Sequence, residues 1–371
     1  MKIGLICPYN LHKSGGVQEC VLALQRLYIK KGHQALIITP KPKSFDGKKF
    51  ENVIYVGTAT DIKSPFHTTA QISVSVDGKE LDSIIKKEQF DVLHFHEPWV
   101  PILGRQILSR SDSVNVATFH AKLPETMMSK TIEKVITPYT KSILKYIDAY
   151  TAVSSAAAEY VGGLTKEPIK IIPNGIDLTM YKENGGKRKN TILYIGRLER
   201  RKGVKYLLQA YRLLKLRIPE AKLLLAGDGP DRKKLELYVK EMHIEDVEFL
   251  GYVEEDQKKM LLNQARVFCS PAIYGESFGI VLLEAMASGV PIVAGNNSGY
   301  TSVMQGRGVL SLVDPEDTQV FANKLELFYS DIDLRALWSK WSTEYVKQFS
   351  YDAVGEKYLD LYKSQLKIHS L

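Results

Sequence analysis

The chain is predicted to be an α/β protein: two doubly wound, Rossmann-like parallel-sheet domains in series, an interdomain cleft, and a last helix crossing back to the first domain. Three observations predict this. Short runs rich in Val, Ile and Leu alternate with longer helical patterns, and glycine-bearing turns follow several of the runs. The alternation pauses at Pro173-Asn174-Gly175 and starts again at Thr191. The closing segment, residues 350–367, carries an apolar stripe (Tyr351, Val354, Tyr358, Leu361, Tyr362, Leu366) that requires a surface to cover it. The expected limits are 1–172, 173–349 and, for the final helix, 350–371.

In the first domain, residues 2–7 read as a buried strand ending at Pro8. Gly15-Gly16 turns the chain into an amphipathic helix with Val17, Val21, Leu24 and Tyr28 on one side, and 35–39 is the next strand. That is a βαβ unit, which implies a parallel sheet. Residues 53–56 and 72–76 are read as strands, with 41–52 and 57–70 as loops. A helix over 78–88 precedes a strand over 90–96, which runs into His96-Glu97-Pro98; the strand over 115–119 ends at His120. Ligands of open α/β sheets bind beyond the carboxyl ends of strands, so Gly16, His96, Glu97 and His120 are candidates for one rim. Residues 121–150 read as one long helical stretch. Met127, Met128, Ile132, Val135 and Ile136 fall on its apolar side, and Lys130, Lys134, Lys141 and Lys145 on another. Such a helix covers the sheet or touches a membrane surface. Residues 150–154 and 169–172 complete the strands.

The segment up to Asn190, with Gly185-Gly186, reads as a linker. Beyond it come strands over 191–195, 222–226, 247–250, 265–270 and 292–294 and a short one at Val309-Leu310, with helices between them such as 204–216 and 231–242.

Composition narrows the function. Apolar residues make up 44% and charged residues 25%, the mix of an ordinary water-soluble domain protein. Cys7, Cys20 and Cys269 are too few and too embedded in apolar runs for a disulfide framework, which points to a reducing compartment. No stretch reads as a signal peptide or as a membrane span of ~18 apolar residues. The expected location is cytoplasmic, with peripheral contact with an anionic membrane as an option. The net charge of +8 is uneven: residues 1–172 hold 22 Lys and Arg against 16 Asp and Glu, the rest 28 against 26. No nucleic-acid-binding motif accompanies it.

The stretch from Tyr274 to Ala294, YGESFGIVLLEAMASGVPIVA, is the most informative. A Gly-bracketed loop enters an apolar helix whose one carboxylate is Glu284, and Glu276 precedes it by eight residues, about two helical turns. A helix N-terminus beside a glycine loop suits a phosphate, and carboxylates accept from sugar hydroxyls. Arg197 and Lys202, in GRLERRKG, follow the second domain's first strand at its carboxyl end; they offer a fork and a point charge to phosphate. Arg200 and Arg201 between them read as solvated. Gly227-Asp228-Gly229 also follows a strand but lacks the third glycine of a dinucleotide fingerprint. Gly275-Glu276-Ser277-Phe278-Gly279 matches the nucleophile elbow formally, so a serine hydrolase using Ser277 is the competing reading. Asp331-Ile332-Asp333, the one D-x-D, reads as a helix cap rather than a metal site.

Together, Gly15-Gly16, the strand before His120, Pro173-Asn174-Gly175, Gly196-Arg197, Lys202-Gly203, Gly227-Asp228-Gly229 and the E-x7-E pair resemble the retaining glycosyltransferases of the GT-B fold, family 4. GGVQ, DVLHFHEP, VATFH and GESFGIVLLEAMASG look most like the phosphatidylinositol mannosyltransferases of that family. The resemblance implies an acceptor-side first domain and a nucleotide-sugar-binding second one. It makes Arg197, Lys202, Glu276 and His120 catalytic. The donor, expected to be GDP-mannose or else a UDP-hexose, would be held by Gly16, Arg197, Lys202, Gly229, Val253, Glu276, Ser277, Phe278, Gly279 and Glu284. Tyr9, Gln18, His96, Glu97 and Lys122 are the acceptor-side candidates, for a lipid-linked or glycan acceptor. It implies neither a metal nor another cofactor. Trp99, and Ala121-Lys122-Leu123-Pro124-Glu125 after His120, depart from the mannosyltransferase pattern. A nucleotide-sugar-binding protein without activity remains a third reading.

Overall fold

The computed structural model describes residues 1–13, 15–43, 50–63, 69–73, 77–122, 127–181 and 188–370, with the side chains of 62–63, 69–70, 73 and 127–135 left aside. The chain divides into two compact units, Met1–Gly175 with Tyr351–Leu371, and Ile176–Ser350.

The first unit is built on β1 (Lys2–Ile6), β2 (Gln34–Lys41), β3 (Val53–Lys63), β4 (Thr69–Ser73), β5 (Val92–His96), β6 (Val114–Phe119), β7 (Ala149–Ala152) and β8 (Ile169–Ile171). Their order is β4-β3-β2-β1-β5-β6-β7-β8, parallel throughout except β3–β4. Every residue of β5 and β6 is buried, because helices cover both faces of a parallel sheet. The helix Gly16–Lys30 connects β1 to β2 and buries Val21, Leu24 and Tyr28. Tyr351–His369 packs beside it, burying Val354, Tyr358, Leu359, Leu361 and Tyr362. At about 1.5–3 kcal/mol for each large apolar side chain removed from water, that stripe is a strong reason for the helix to return to this unit.

The second unit holds β9 (Thr191–Ile195), β10 (Lys222–Ala226), β11 (Val247–Gly251), β12 (Val267–Ser270), β13 (Ile292–Gly295) and β14 (Leu312–Val313), all parallel, in the order β11-β10-β9-β12-β13-β14. This is the doubly wound strand order, and it bears out the fold class read from the sequence. In each unit the order reverses beside the first strand, at β1/β5 and at β9/β12. Those crevices are where such sheets take ligands.

Several local expectations are corrected. Residues 57–63 are not loop: β3 runs on to Lys63 past a bend at Gly57 and pairs antiparallel with β4, Thr60 opposite Ile72. The strand expected over 72–76 is Thr69–Ser73, and 74–76 lie outside the described residues. The stretch 121–150 holds the helix Met127–Leu144, with Pro138 inside it. Its stripe from Met127 to Val135, with Lys130 and Lys134, falls on side chains outside the description, as do Gly185-Gly186 and 123–126. Val309 and Leu310 are exposed in the 3-10 segment Gly306–Ser311, and the edge strand is the next two residues, Leu312–Val313, which bury Val313. Residues 176–181 are not linker: Ile176 N donates to Phe349 O, and Tyr181 is buried in the second unit. Pro173-Asn174-Gly175 stays with the first unit, where Gly175 lies against the Tyr351 ring. Asp331 does cap the helix Ile332–Tyr345, accepting from Leu334 N at 2.8 Å.

Candidate active site

In the second unit the loops that follow β9 and β12 bring Lys202 and Glu276 together. The turn after β9 passes through Arg197, and the 3-10 segment Arg200–Lys202 presents Lys202. Gly203 closes the turn at φ +69, where a Cβ would run into Pro271 O after β12, so the two loops lie back to back. Lys202 Nζ lies 2.7 Å from Glu276 Oε1. Glu276 is 9% exposed, and its backbone is pressed against Gly299. Arg197 is more open, with Nη2 4.0 Å from Glu199 Oε2.

Arg201, which the sequence suggests is solvated, is instead paired with two carboxylates. Arg201 Nη1 donates to Glu276 Oε1 at 2.8 Å and to Gly275 O at 3.0 Å, while Nη2 lies 2.7 Å from Glu199 Oε1. The eight-residue spacing does not put Glu276 and Glu284 on one helix. The helix is Ile280–Ala287, so Glu284 is on it but Glu276 precedes it by four residues. Loop contacts, not helical phase, aim Glu276. Gly279 opens the helix at φ +105 and offers no side chain to the first N–H groups; Leu282 N donates to Gly279 O at 2.9 Å, and no side-chain cap meets the N–H groups before it.

Glu284 Oε1 accepts from Lys258 Nζ at 2.8 Å and lies 3.1 Å from Tyr181 Oη. Lys258 also meets Glu255 Oε2 at 2.8 Å, and Tyr181 Oη reaches Glu255 too, so its one proton serves one carboxylate at a time. Burial pulls the Lys258 ammonium down, but Glu284 and Glu255 outweigh that and hold it above the ordinary lysine range. Neither Tyr181 nor Lys258 was named from sequence. The Glu255–Lys258 spacing was visible, but only the fold reveals that Glu284 is the third partner.

Gly229 lies in the turn after β10, its N–H bonded to Asp228 Oδ1 at 2.7 Å and its Cα against Leu198 O. Val253 is half-buried two residues beyond β11. Phe278 is buried edge-on to Phe349, with 6.1 Å between ring centroids, so its side chain is core and its backbone is what remains for a ligand. Ser277 is half-buried beside it. His243 is the second unit's one histidine, and it precedes β11 at the end of the parallel sheet opposite the Ser277 loop. An elbow has no imidazole to work with there.

In the first unit, Gly16 is the exposed first residue of its helix, and Gln18 Nε2 reaches Asn10 O at 3.5 Å. Tyr9 lies three residues past β1 and bridges to Ile72. Burial pushes its phenol well up, with Glu97 adding to the shift. His96, Glu97 and His120 do come together, and they are buried. His96 Nδ1 lies 2.9 Å from His120 Nε2, and His120 Nδ1 lies 3.2 Å from Asn174 Oδ1. With Asn174 accepting, the protons are ordered: His120 donates to Asn174 and accepts from His96. His96 Nε2 is left as a bare buried lone pair, and that atom has no protein partner. Burial depresses His120 to about 4 and His96 well below the usual range, so both are neutral at pH 7. Glu97 takes a left-handed backbone (φ +51), and its Oε1 accepts from the N–H of His120 and, at 2.6 Å, of Ala121. Burial pushes its carboxyl up to about 8 against the pull of those two N–H groups. Its Oε2 and the Trp99 indole N–H are also buried without partners. Lys122, by contrast, is paired with Glu159 at 3.1 Å.

Among the described residues one group has the spacing of metal ligands, Cys20, His96 and His120, with ligand atoms within 4.8 Å of one another. The two imidazoles already bond to each other, and burial pushes the Cys20 thiol up to about 12. The group is thus a hydrogen-bonded imidazole pair beside a protonated thiol.

Two family models match the chain. The model described as Glycosyltransferase Family 4 covers residues 14–180, and that described as Glycosyl transferases group 1 covers 178–344. The chain is 30% identical to the phosphatidyl-myo-inositol mannosyltransferase of Mycolicibacterium smegmatis, over 98% of this chain and 94% of that one. It is 31% identical to the Mycobacterium leprae protein of the same name, over 98% and 97%. Among solved structures, a sucrose-phosphate synthase from Thermosynechococcus elongatus superposes with a TM-score of 0.78 at 22% identity, over 99% of both chains, and shares the GT-B fold. The two parallel sheets, the two matching models and the near-full-length likeness agree: the chain is a glycosyltransferase and belongs to family 4.

Proposed function

We propose that the enzyme transfers mannose from GDP-mannose to a hydroxyl of a lipid-linked or glycan acceptor, with retention at the anomeric carbon and without a bound metal. The observation that carries the reading is Glu276, a nearly buried carboxylate 2.7 Å from Lys202 at the β9/β12 crevice. A cation for phosphate and a carboxylate for hydroxyls, side by side, suit a sugar diphosphate. The mannosyl donor is supported by the two relatives named above, and phosphatidylinositol is the first acceptor to try. In this reading Lys202 and Arg197 take the diphosphate, and the backbone N–H groups around Phe278-Gly279 add to them. Glu276 takes sugar hydroxyls, and Glu284 the ribose. The bond from the anomeric carbon to the diphosphate breaks as the acceptor oxygen bonds to that carbon on the same face. The acceptor's proton passes to the departing phosphate oxygen. The cations stabilise the developing negative charge. The first-unit cluster of Tyr9, His96, Glu97 and His120 is proposed to receive the acceptor, with the enzyme working as a peripheral protein at a membrane face.

A thermal-shift series with GDP, UDP, ADP and their common sugars, run without metal, tests this. A nucleotide at about 100 times its Kd adds about 2.7 kcal/mol of stability. A rise with GDP and GDP-mannose is expected. A rise with UDP alone would discard the mannosyl donor, and no rise with any nucleotide would discard the reading as a whole.

A further inference from the structure

We infer that Arg201 is a positioning residue for Glu276: it keeps that carboxylate compensated and aimed when Lys202 turns to the donor's phosphates. This rests on the proposal that Glu276 meets the transferred sugar. Glu276 Oε1 has two cationic partners of different kinds. Lys202 reaches it as one ammonium on a flexible stem, whereas Arg201 reaches it through a planar fork with two other anchors, Glu199 Oε1 at 2.7 Å and Gly275 O at 3.0 Å. Gly275 is the residue next to Glu276, so one guanidinium grips both the carboxylate and the backbone that bears it.

A diphosphate carries more negative charge than one carboxylate, so it competes with Glu276 for Lys202. Were Lys202 the carboxylate's one cation, donor binding would leave a buried negative charge uncompensated beside a phosphate, a costly arrangement. Arg201 is tethered by Glu199 and stays. Glu276 thus has two cationic partners, and donor binding exchanges one of them while the other persists. An arginine suits this because one rigid, planar group meets Glu276, Gly275 and Glu199 together, whereas a lysine ammonium is a single mobile point of charge.

The test compares wild type with R201M, R201K and E199Q. Titration calorimetry gives Kd for GDP and for GDP-mannose, and acceptor-free hydrolysis of GDP-mannose gives kcat and KM. For R201M, GDP affinity should stay within about twofold, the extra affinity of GDP-mannose over GDP should shrink, and kcat should fall roughly ten- to a hundredfold. R201K should recover part of kcat. E199Q, which loosens the tether without touching Glu276, should lower kcat in the same direction by less. Melting temperatures accompany each variant; if R201M does not fold, R201K and E199Q carry the test. Unchanged kcat in all the folded variants would overturn the inference. So would an equal loss of affinity for GDP and GDP-mannose, which would make Arg201 a phosphate ligand. A wild-type enzyme that binds neither nucleotide overturns the donor reading itself, an outcome distinct from both.

Discussion

Replacing Glu97 with Gln should remove a pH dependence of stability whose sign and size follow from the first unit's buried cluster. The Glu97 carboxyl titrates at about 8 in the folded chain against 4.5 for an ordinary glutamate, because burial penalises its charged form. Between those values the folded state keeps a proton that the unfolded state has released. The contribution is therefore fully present below pH 4.5 and is lost as pH rises towards 8, at about 1.4 kcal/mol per pH unit. The neighbouring imidazoles act elsewhere: His94 and His120 are depressed to about 3 and about 4 from 6.5, so they strengthen the fold with rising pH only up to about 6.5. The window from pH 6.5 to 8 isolates Glu97, and it should be worth roughly 2 kcal/mol there. Glutamine keeps a carbonyl for the His120 and Ala121 N–H groups but does not ionise. Urea unfolding of both chains, labelled with fluorotryptophan, separates Trp99, the first unit's one tryptophan, from Trp338 and Trp341. Wild type should lose roughly 2 kcal/mol relative to E97Q as pH rises from 6.5 through 8, the divergence levelling off about one unit above. Parallel profiles across that window would refute a protonated, buried Glu97.

Arg197→Ala and Lys202→Ala should each lower kcat/KM for GDP-mannose by roughly a hundredfold while the melting temperature holds, as expected for groups that act on developing phosphate charge; steady-state kinetics at saturating acceptor checks this. Lys258→Met should destabilise the second unit by roughly 2 kcal/mol. That is less than the 3–5 for breaking a fully buried pair, since water reaches part of Lys258. Adding Glu284→Gln to it should restore most of that loss in urea unfolding, because the harm lies in the uncompensated carboxylate.

Much of the architecture was legible because parallel sheets write themselves plainly. Fully buried strands such as VLHFH and VNVATF, with helices between them, need only local patterns to be seen. The last helix announced itself by an apolar stripe with no partner nearby in sequence, and it buries Tyr358 and Tyr362 against the first unit's core. Elements whose character depends on an edge were missed. Residues 57–63 have the polar look of a loop, and only pairing with β4 makes them strand. Val309-Leu310 has strand-like residues but is solvated, while the adjoining pair lies beside β13.

The candidate site divides along the same line. Lys202 and Glu276 are distinctive in their local settings, a glycine turn and a glycine loop, and they lie within 2.7 Å of each other. Arg201, Tyr181 and Lys258 look ordinary where they stand: the middle of a basic run, a segment resembling a linker, and an i,i+3 pair on a charged helix. Their significance comes from carboxylates 75, 103 and 26 residues away. A sequence displays a residue that is unusual for its surroundings, but it does not display one that becomes unusual through what the fold brings beside it. The same limit explains Glu97. Its place at a strand end marks it as a candidate for the rim, but nothing in the local sequence shows that burial holds its carboxyl at about 8. Groups recruited by tertiary contact are therefore the ones to search for in the structure first, and Arg201, fixed at three points around Glu276, is the clearest of them here.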